Sequence, residues 1–464
     1  MTLRIKRHFG KPFALLLAAC LLLTSTGCNA LDVFSVDSLL RAPKLTGENA
    51  RIQKSFEAAV GADVLLVHPL IGSFRSAFVF VDYDADGVDE TLVFYAKTEA
   101  PGEIHIHFMD YLENEWCSVG DVTGNGSEVY SVDFANVDGD DYREILVAWT
   151  VSDSKRNKTL SVYKYDPGKT VTAQETGAPA NAVSGDLVLL SVVQIFDYLA
   201  LDFDFDGMQE ILYLSSDTAN QSQIIKASVI KVSAETGAFE PLSEVELSRS
   251  VEYPLACLYD LRGGNRRVYY DCINFDDTYM TEILEFDSAK NVLIRPQNEA
   301  GDVLAGLTLR SEEIYSVKDT DLLVSVPIRY VYEKSYVLSE LDDVKTDLFV
   351  TEFVRLNNGG FESTGGKYFY DRADRCRVRL DDVFDDFRME YDVAAHEIRF
   401  FDKDDDSGEA LFSVRFAVTA EPGQQEDGTA EEETKMPEYE ITVSNTAKER
   451  HITEETVRDM LEAI

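Results

Sequence analysis

Basic residues are few. The chain of 464 residues holds 43 Lys+Arg against 84 Asp+Glu, a formal charge of −41. Phosphate recognition needs a basic surface, so this balance argues against nucleic acid as a partner and against a polybasic hold on anionic lipid. Four of the basic groups (Arg4, Lys6, Arg7, Lys11) fall in the first 27 positions, which contain no acid. From Cys28 onward the balance is therefore 39 basic against 84 acidic groups. Cysteine is also scarce. Beyond Cys28 only Cys117, Cys257, Cys272 and Cys376 remain, too few for a disulfide framework in a chain of this length. No C-x-x-C or Cys/His spacing suggests zinc, and there is no G-x-S-x-G elbow, Walker loop or H-E-x-x-H. Gly124-Asn125-Gly126-Ser127 is a turn signal, not a nucleophile elbow. Beyond the N-terminus no apolar run approaches the ~18 residues of a membrane-spanning helix. What is plentiful is apolar and aromatic content, at 45% and 11%, which is enough for one large or two ordinary domains and excludes wholesale disorder.

Residues 1–27 read as an export signal. The four basic residues precede an apolar run of 11 residues at 13–23 (FALLLAACLLL), too short to span a bilayer. Thr24-Ser25-Thr26-Gly27-Cys28 follows. Small residues running into a cysteine resemble the lipobox of bacterial lipoproteins, with Ser25 standing where that motif usually carries Leu. The resemblance implies cleavage before Cys28, diacylglycerol on its thiol, and attachment to the extracytoplasmic face of the cell membrane. Two acyl chains hold stably where one binds only reversibly. Plain secretion with cleavage elsewhere is the other reading.

A repeat organises the middle of the chain. Three segments share an apolar strand, an acidic loop and a second apolar strand. The loops are Asp82-Tyr83-Asp84-Ala85-Asp86-Gly87-Val88-Asp89-Glu90, Asn136-Val137-Asp138-Gly139-Asp140-Asp141-Tyr142-Arg143-Glu144 and Asp202-Phe203-Asp204-Phe205-Asp206-Gly207-Met208-Gln209-Glu210. Numbered from one, each carries oxygen-bearing side chains at positions 1, 3, 5 and 9. Weaker copies begin at Asp260 and Val317. The starts are 54, 66, 58 and 57 residues apart, room for four short strands and their turns. A period of ~40–60 with β patterning is a propeller-blade signature. Alternate carboxylates on a tightly turning backbone converge on a point, and calcium takes roughly 6–8 oxygen ligands. Gly87 and Gly207 at position 6 permit the positive φ such a turn needs, while the second loop has Asp141 there. Position 12 is Val93, Val147 or Tyr213, so these are not EF-hands.

These D-x-D-x-D-G-x-x-E loops resemble the FG-GAP/VCBS repeats of integrin-type β-propellers, over roughly residues 70–330. The resemblance implies a mainly β fold, a propeller of five to seven four-stranded blades, with up to three structural calcium ions. Carried over by position, the ligands are Asp82, Asp84, Asp86, Glu90 and the Val88 carbonyl in the first loop. In the second they are Asn136, Asp138, Asp140, Glu144 and the Tyr142 carbonyl, and in the third Asp202, Asp204, Asp206, Glu210 and the Met208 carbonyl. A solvated acidic hairpin turn without metal is the alternative at each loop.

The flanks are plainer. Residues 28–69 hold a tether and a short helix, with Thr46 as N-cap, an apolar stripe of Ile52, Phe56, Ala59 and Val60, and Gly61 as its stop. The propeller region is expected to run over 70–340. Residues 341–464 form either a further blade or a small α+β module, with strands near 376–380, 387–391, 398–400, 410–418 and 439–443 and a flexible acidic loop at 421–438. Residues 402–409 read as a polar hairpin turn, and Thr453 caps a last helix presenting Val457, Met460, Leu461 and Ile464. Cys257 and Cys272 flank a hairpin turn at Arg262-Gly263-Gly264-Asn265, either bridged or as two buried free thiols. His105 and His107 alternate with Ile104, Ile106 and Phe108, so they share one strand face, expected to be exposed, and no third metal ligand is apparent. The function expected is a non-catalytic, lipid-anchored surface protein whose calcium-stiffened propeller binds an extracellular protein or glycan. A surface hydrolase or lyase acting on polysaccharide is the alternative, although acids are so abundant that any pair can be named a glycosidase dyad.

Overall fold

The computed structural model describes residues 47–464 apart from 113, 141, 152–155, 167–185, 217–223, 234–237, 263, 339–344, 358–359, 372–374, 381–385, 405–407, 418–437 and 464. The export signal, Cys28 and nearly all of the acidic loop at 421–438 lie outside the described residues. The chain divides into two compact units, residues 1–62 and 63–464. In the first, helix α1 (Glu48–Val60) buries Ile52 and Phe56, which its periodicity sets on one face. Gly61 ends it at φ 93°, with its N–H on the Glu57 carbonyl. Gly47, not Thr46, takes the N-cap position, and no side chain caps the first turn.

The second unit is mainly β, built from successive sheets that are antiparallel apart from one parallel pair in the last. The first sheet holds β1 (Val64–Leu66), β2 (Phe78–Val81), β3 (Glu90–Lys97), β4 (Ala100–Leu112) and β5 (Glu115–Thr123), with β1 and β2 both on β3. The second is β6 (Glu128–Ala135), β7 (Glu144–Thr150), β8 (Lys158–Asp166) and β9 (Asp186–Ile195). The third is β10 (Asp197–Leu201), β11 (Glu210–Ser216), β12 (Ile225–Val232) and β13 (Phe239–Glu246). The fourth is β14 (Val251–Arg262), β15 (Asn265–Asn274), β16 (Tyr279–Asp287) and β17 (Val292–Ile294). In the fifth, β18 (Val317–Lys318), β19 (Val324–Leu338), β20 (Lys345–Asn357), β21 (Gly360–Asp371) and β22 (Cys376–Arg379) follow the same meander. All five copies of the repeat fall at one topological place, the connection between the first two strands of each meander.

The interior strands explain why the sheets pack in sequence order. Side chains alternate across a strand, and β7 is apolar on both faces and buried throughout. Its Ile145, Val147 and Trp149 join a core with Phe94, Ile106 and Phe108 of the first sheet. Leu146 and Ala148 join a different core with Ile211 and Ile230 of the third. In the same way Leu212 and Leu214 of β11 meet Tyr270 and Phe286 of the fourth sheet. Tyr269 on the opposite face of β15 meets Val324, Val326 and Val354 of the fifth. A sheet covered on both sides needs a continuous apolar run rather than alternation, and that is what the segments after the acidic loops carry.

β19 and β20 run on within the same sheet, which takes in the strands that follow. Their outer halves supply Tyr332, Leu348 and Val350 to a last core, built with β23 (Phe387–Asp392), β24 (Glu397–Asp402), β25 (Phe412–Phe416) and β26 (Tyr439–Val443). The strands expected near 387, 398, 410 and 439 are these four. β19 and β20, the strands on either side of position 340/341, pair with each other. Helices α2 (Asn445–Glu449) and α3 (Glu454–Arg458) follow, and the Thr453 hydroxyl caps α3 by accepting from the Thr456 N–H at 3.2 Å. The last helix is shorter than expected. Leu461 belongs to β27 (Leu461–Ala463), which pairs with β22 instead of extending the helix. The unpaired edge of β22 offers hydrogen bonds that a frayed helical turn lacks. At the hairpin joining β14 and β15, Arg262 opposes Asn265 as expected. Cys257 and Cys272 are free thiols on neighbouring strands, opposite Tyr270 and Pro254 respectively.

Gly124 shows how tightly these cores close. A Cβ there would lie 2.2 Å from the Trp149 ring, whose Nε1 donates to Ser161 Oγ at 3.1 Å. Asn125 Nδ2 donates to the same hydroxyl at 2.8 Å. Replacing Gly124 with Ala is expected to destabilise the protein by about 1–3 kcal/mol through overpacking. Urea unfolding checks this, and an unchanged midpoint would contradict the close contact.

Candidate metal centre

Each acidic loop is shaped by its own carboxylates. In the first, Asp82 Oδ2 accepts from the Gly87 N–H at 3.1 Å, Asp84 Oδ1 from Asp86 at 3.1 Å, and Asp86 Oδ1 from Val88 at 2.8 Å. The third repeats the pattern, with Asp202 on Gly207 at 3.2 Å, Asp204 on Asp206 at 3.2 Å and Asp206 on Met208 at 2.9 Å. In the second, Asp138 accepts from Asp140 at 3.3 Å and Asp140 from Tyr142 at 2.8 Å, while Asn136 Oδ1 accepts from Gly139 at 2.8 Å. The Asn136 amide also donates to the Asp140 carbonyl at 2.5 Å. The position-9 glutamates open the central strands β3, β7 and β11. Each turns Oε2 back onto the N–H of position 2: Glu90 to Tyr83 at 2.9 Å, Glu144 to Val137 at 2.9 Å, Glu210 to Phe203 at 2.8 Å.

These bonds use one oxygen of each carboxylate and leave the other. In the first loop, oxygens of Asp82, Asp84, Asp86 and Glu90 all lie within 4.8 Å of one another. Those of Asp138, Asp140 and Glu144, and of Asp202, Asp204 and Asp206, are gathered equally closely. Asp82 Oδ1, Glu90 Oε1, Glu144 Oε1, Asp202 Oδ1 and Glu210 Oε1 are buried without a hydrogen-bond partner. An orphaned buried carboxylate oxygen is costly. A hard divalent cation coordinated by oxygen meets that need, so the donor set fits calcium.

The electrostatics follow from burial. Burial, reinforced by Asp84 and Asp110, pushes the Glu90 carboxyl up to about 8, against the pull of the Tyr83 N–H. Burial likewise raises Glu144 to about 7 and raises Glu210, with Lys164 and Lys231 respectively pulling the other way. Lys164 Nζ is hydrogen-bonded to Asp138 and, at 2.6 Å, to Asp140. Lys231 Nζ donates to Asp204 at 2.9 Å and to Asp206, and lies 3.3 Å from Glu210.

The loops are linked side by side. The Arg143 N–H donates to the Tyr83 carbonyl at 2.8 Å, and the Gln209 N–H to the Asn136 carbonyl at 2.8 Å. Arg266, in the fourth copy, donates Nε to the Asp202 carbonyl at 3.0 Å. Asp82, Asn136, Tyr142, Arg143 and Gln209 line one polar recess among the first three loops.

Gly87 and Gly207 have the positive φ expected of position 6, at 90° and 95°; Asp141 lies outside the described residues. A second left-handed residue, at position 4, was not apparent from the sequence: Ala85 at 60°, Gly139 at 80° and Phe205 at 63°. For Ala and Phe that conformation is strained. The lysines were missed as well. They stand on the strand beside β7 or β11, 20 and 21 residues after Glu144 and Glu210, a spacing that aligned repeats would reveal.

The histidine expectation needs correction. His105 and His107 do share a face of β4, but that face is buried, with exposures of 8% and 2%. Both Nδ1 atoms meet Asp121 on β5, at 2.9 and 3.0 Å, and the Tyr95 hydroxyl donates to the same carboxylate at 2.8 Å. His105 stacks on Tyr95 with centroids 5.1 Å apart. One partly exposed carboxylate at the edge of that face thus meets three rings, which explains the pair without metal.

No protein-family model matches the chain, and no curated protein matches it. Among solved structures it is similar to a hypothetical protein from Leishmania major, at 14% identity over 60% of this chain and 89% of that one, TM-score 0.24. It is also similar to the Dos1 propeller, at 8% identity over 72% of this chain and 79% of that one, TM-score 0.27. A Synechocystis apocarotenoid oxygenase gives 10% identity over 72% and 70%, TM-score 0.23. Likeness at these scores carries no weight for fold or function.

A pH dependence follows from Glu90. Its ordinary value is 4.5 and its folded value about 8. Without metal, the folded carboxyl therefore holds its proton where the unfolded one has lost it. That contribution to stability is full below pH 4.5 and is lost as pH rises through about 8. In chelator the melting temperature is expected to fall from pH 5 to pH 8, less steeply in Glu90→Gln. Equal slopes for the two proteins would contradict this.

Proposed function

We propose that this chain is a lipid-anchored protein of the extracytoplasmic face of the cell membrane, held through Cys28. Its successive sheets are the blades of a β-propeller stiffened by calcium at its acidic loops. It is a binding protein for an extracellular protein or glycan, without catalysis of its own. The observation that carries the metal reading is the gathering of Asp82, Asp84, Asp86 and Glu90 oxygens within 4.8 Å, two of them buried and unpartnered. Sequential sheet packing, with the repeat at one topological place in each sheet, supports the blade arrangement. The basic n-region, the 11-residue apolar run and the small residues before Cys28 support the anchor. The remaining acidity suits a solvent-facing binding surface and not a nucleic-acid or lipid-headgroup partner.

Millimolar calcium is expected to raise the melting temperature and chelator to lower it, with the difference shrinking in Asp84→Ala. An unchanged melting curve across these conditions refutes the structural-calcium reading. Cys28→Ser is expected to move the protein from the membrane fraction to the soluble fraction of fractionated cells; retention in the membrane counts against lipidation.

A further inference from the structure

The three acidic loops differ in what balances their charge. Glu144 faces Lys164 across β7 and β8, one step beyond the pair Ile145 and Tyr163. Glu210 faces Lys231 across β11 and β12, one step beyond Ile211 and Ile230. The same step beyond Thr91 and Met109 sets Asp110 opposite Glu90. Where two repeats carry a cation, the first carries a fifth acid, and Asp110 is buried at 4% exposure.

The lysines do not merely sit nearby. Each ammonium bonds the second oxygen of the position-3 and position-5 aspartates, Asp138 with Asp140 and Asp204 with Asp206. Those are the oxygens left over once the loop has bonded its own N–H groups. A metal entering there must first expel a tethered cation. Among the described residues no lysine, arginine or histidine pairs with Asp82, Asp84, Asp86, Glu90 or Asp110. All three position-9 glutamates are fully buried and keep Oε1 without a hydrogen bond, but only in the first loop does no ammonium stand among the gathered oxygens.

We propose that Lys164 and Lys231 are built-in counter-ions that fill the second and third loops, so that a divalent cation such as calcium binds at the first loop alone, with Asp110 adding negative charge behind Glu90. This rests on the metal reading above and narrows it from three sites to one. The ammonium carries one charge where calcium carries two, and its N–H groups satisfy carboxylate oxygens directly. Two loops are thereby locked whatever the metal supply, and only the first responds to it.

Calorimetric titration of calcium chloride into the full-length chain, in detergent and freed of metal by chelator, tests this. Circular dichroism verifies that each variant is folded. The unaltered chain is expected to take up one calcium, lost in Asp84→Ala and in Asp110→Lys. Lys164→Met combined with Lys231→Met is expected to raise the uptake above one. Three ions in the unaltered chain, one ion that survives both Asp84→Ala and Asp110→Lys, or no gain in the double lysine variant overturns the inference and leaves the metal reading standing. No uptake by any of these proteins overturns both.

Discussion

Carboxylates held within 4.8 Å of one another repel, and burial deepens the penalty because the surroundings screen charge less than water does. Each acidic loop is therefore as compact as the positive charge available to it. Backbone N–H groups supply a first instalment, since every Asp at positions 3 and 5 accepts from the residue two further on. Strain works against closure, because Ala85 and Phe205 are held in a left-handed conformation that their side chains disfavour. What remains must come from a side-chain ammonium or a bound cation.

The loops matter beyond their own residues. Glu90, Glu144 and Glu210 are at once the last loop residues and the first residues of the central strands. A loop that splays would drag that glutamate from its hold on position 2, at the entrance to buried strands, two of which, β7 and β11, feed a different core from each face. The links from Arg143 to Tyr83, from Gln209 to Asn136 and from Arg266 to Asp202 pass such a disturbance to the neighbouring repeat. The charge balance of a nine-residue turn is thus tied to the order of the sheets.

Much of this was legible in the chain itself, because local chemistry determines it. Alternating acids with Gly87 and Gly207 announce the turns, and unbroken apolar runs such as residues 145–149 announce strands covered on both faces. Thr453 as a cap and the hairpin at 262–265 belong to the same class. Three of the failures share a cause too, in that each depends on a partner distant in sequence. The face of His105 and His107 is buried because Asp121 and Tyr95 arrive from neighbouring strands. Leu461 leaves its helix because the edge of β22, some 80 residues earlier, has room for it. Lys164 and Lys231 reach their aspartates from the next strand over.

β19 and β20 serve two cores. Val324, Val326, Val354 and Leu356 lie in the interior shared with the fourth sheet, while Tyr332, Leu348 and Val350 lie in the C-terminal interior. Neither hydrophobic interior can be dismantled without fraying strands on which the other relies. The pair behaves as a shared girder, so the C-terminal region is not a passenger that proteolysis can trim cleanly away. A tug on its tail is borne by the backbone that closes the fifth sheet.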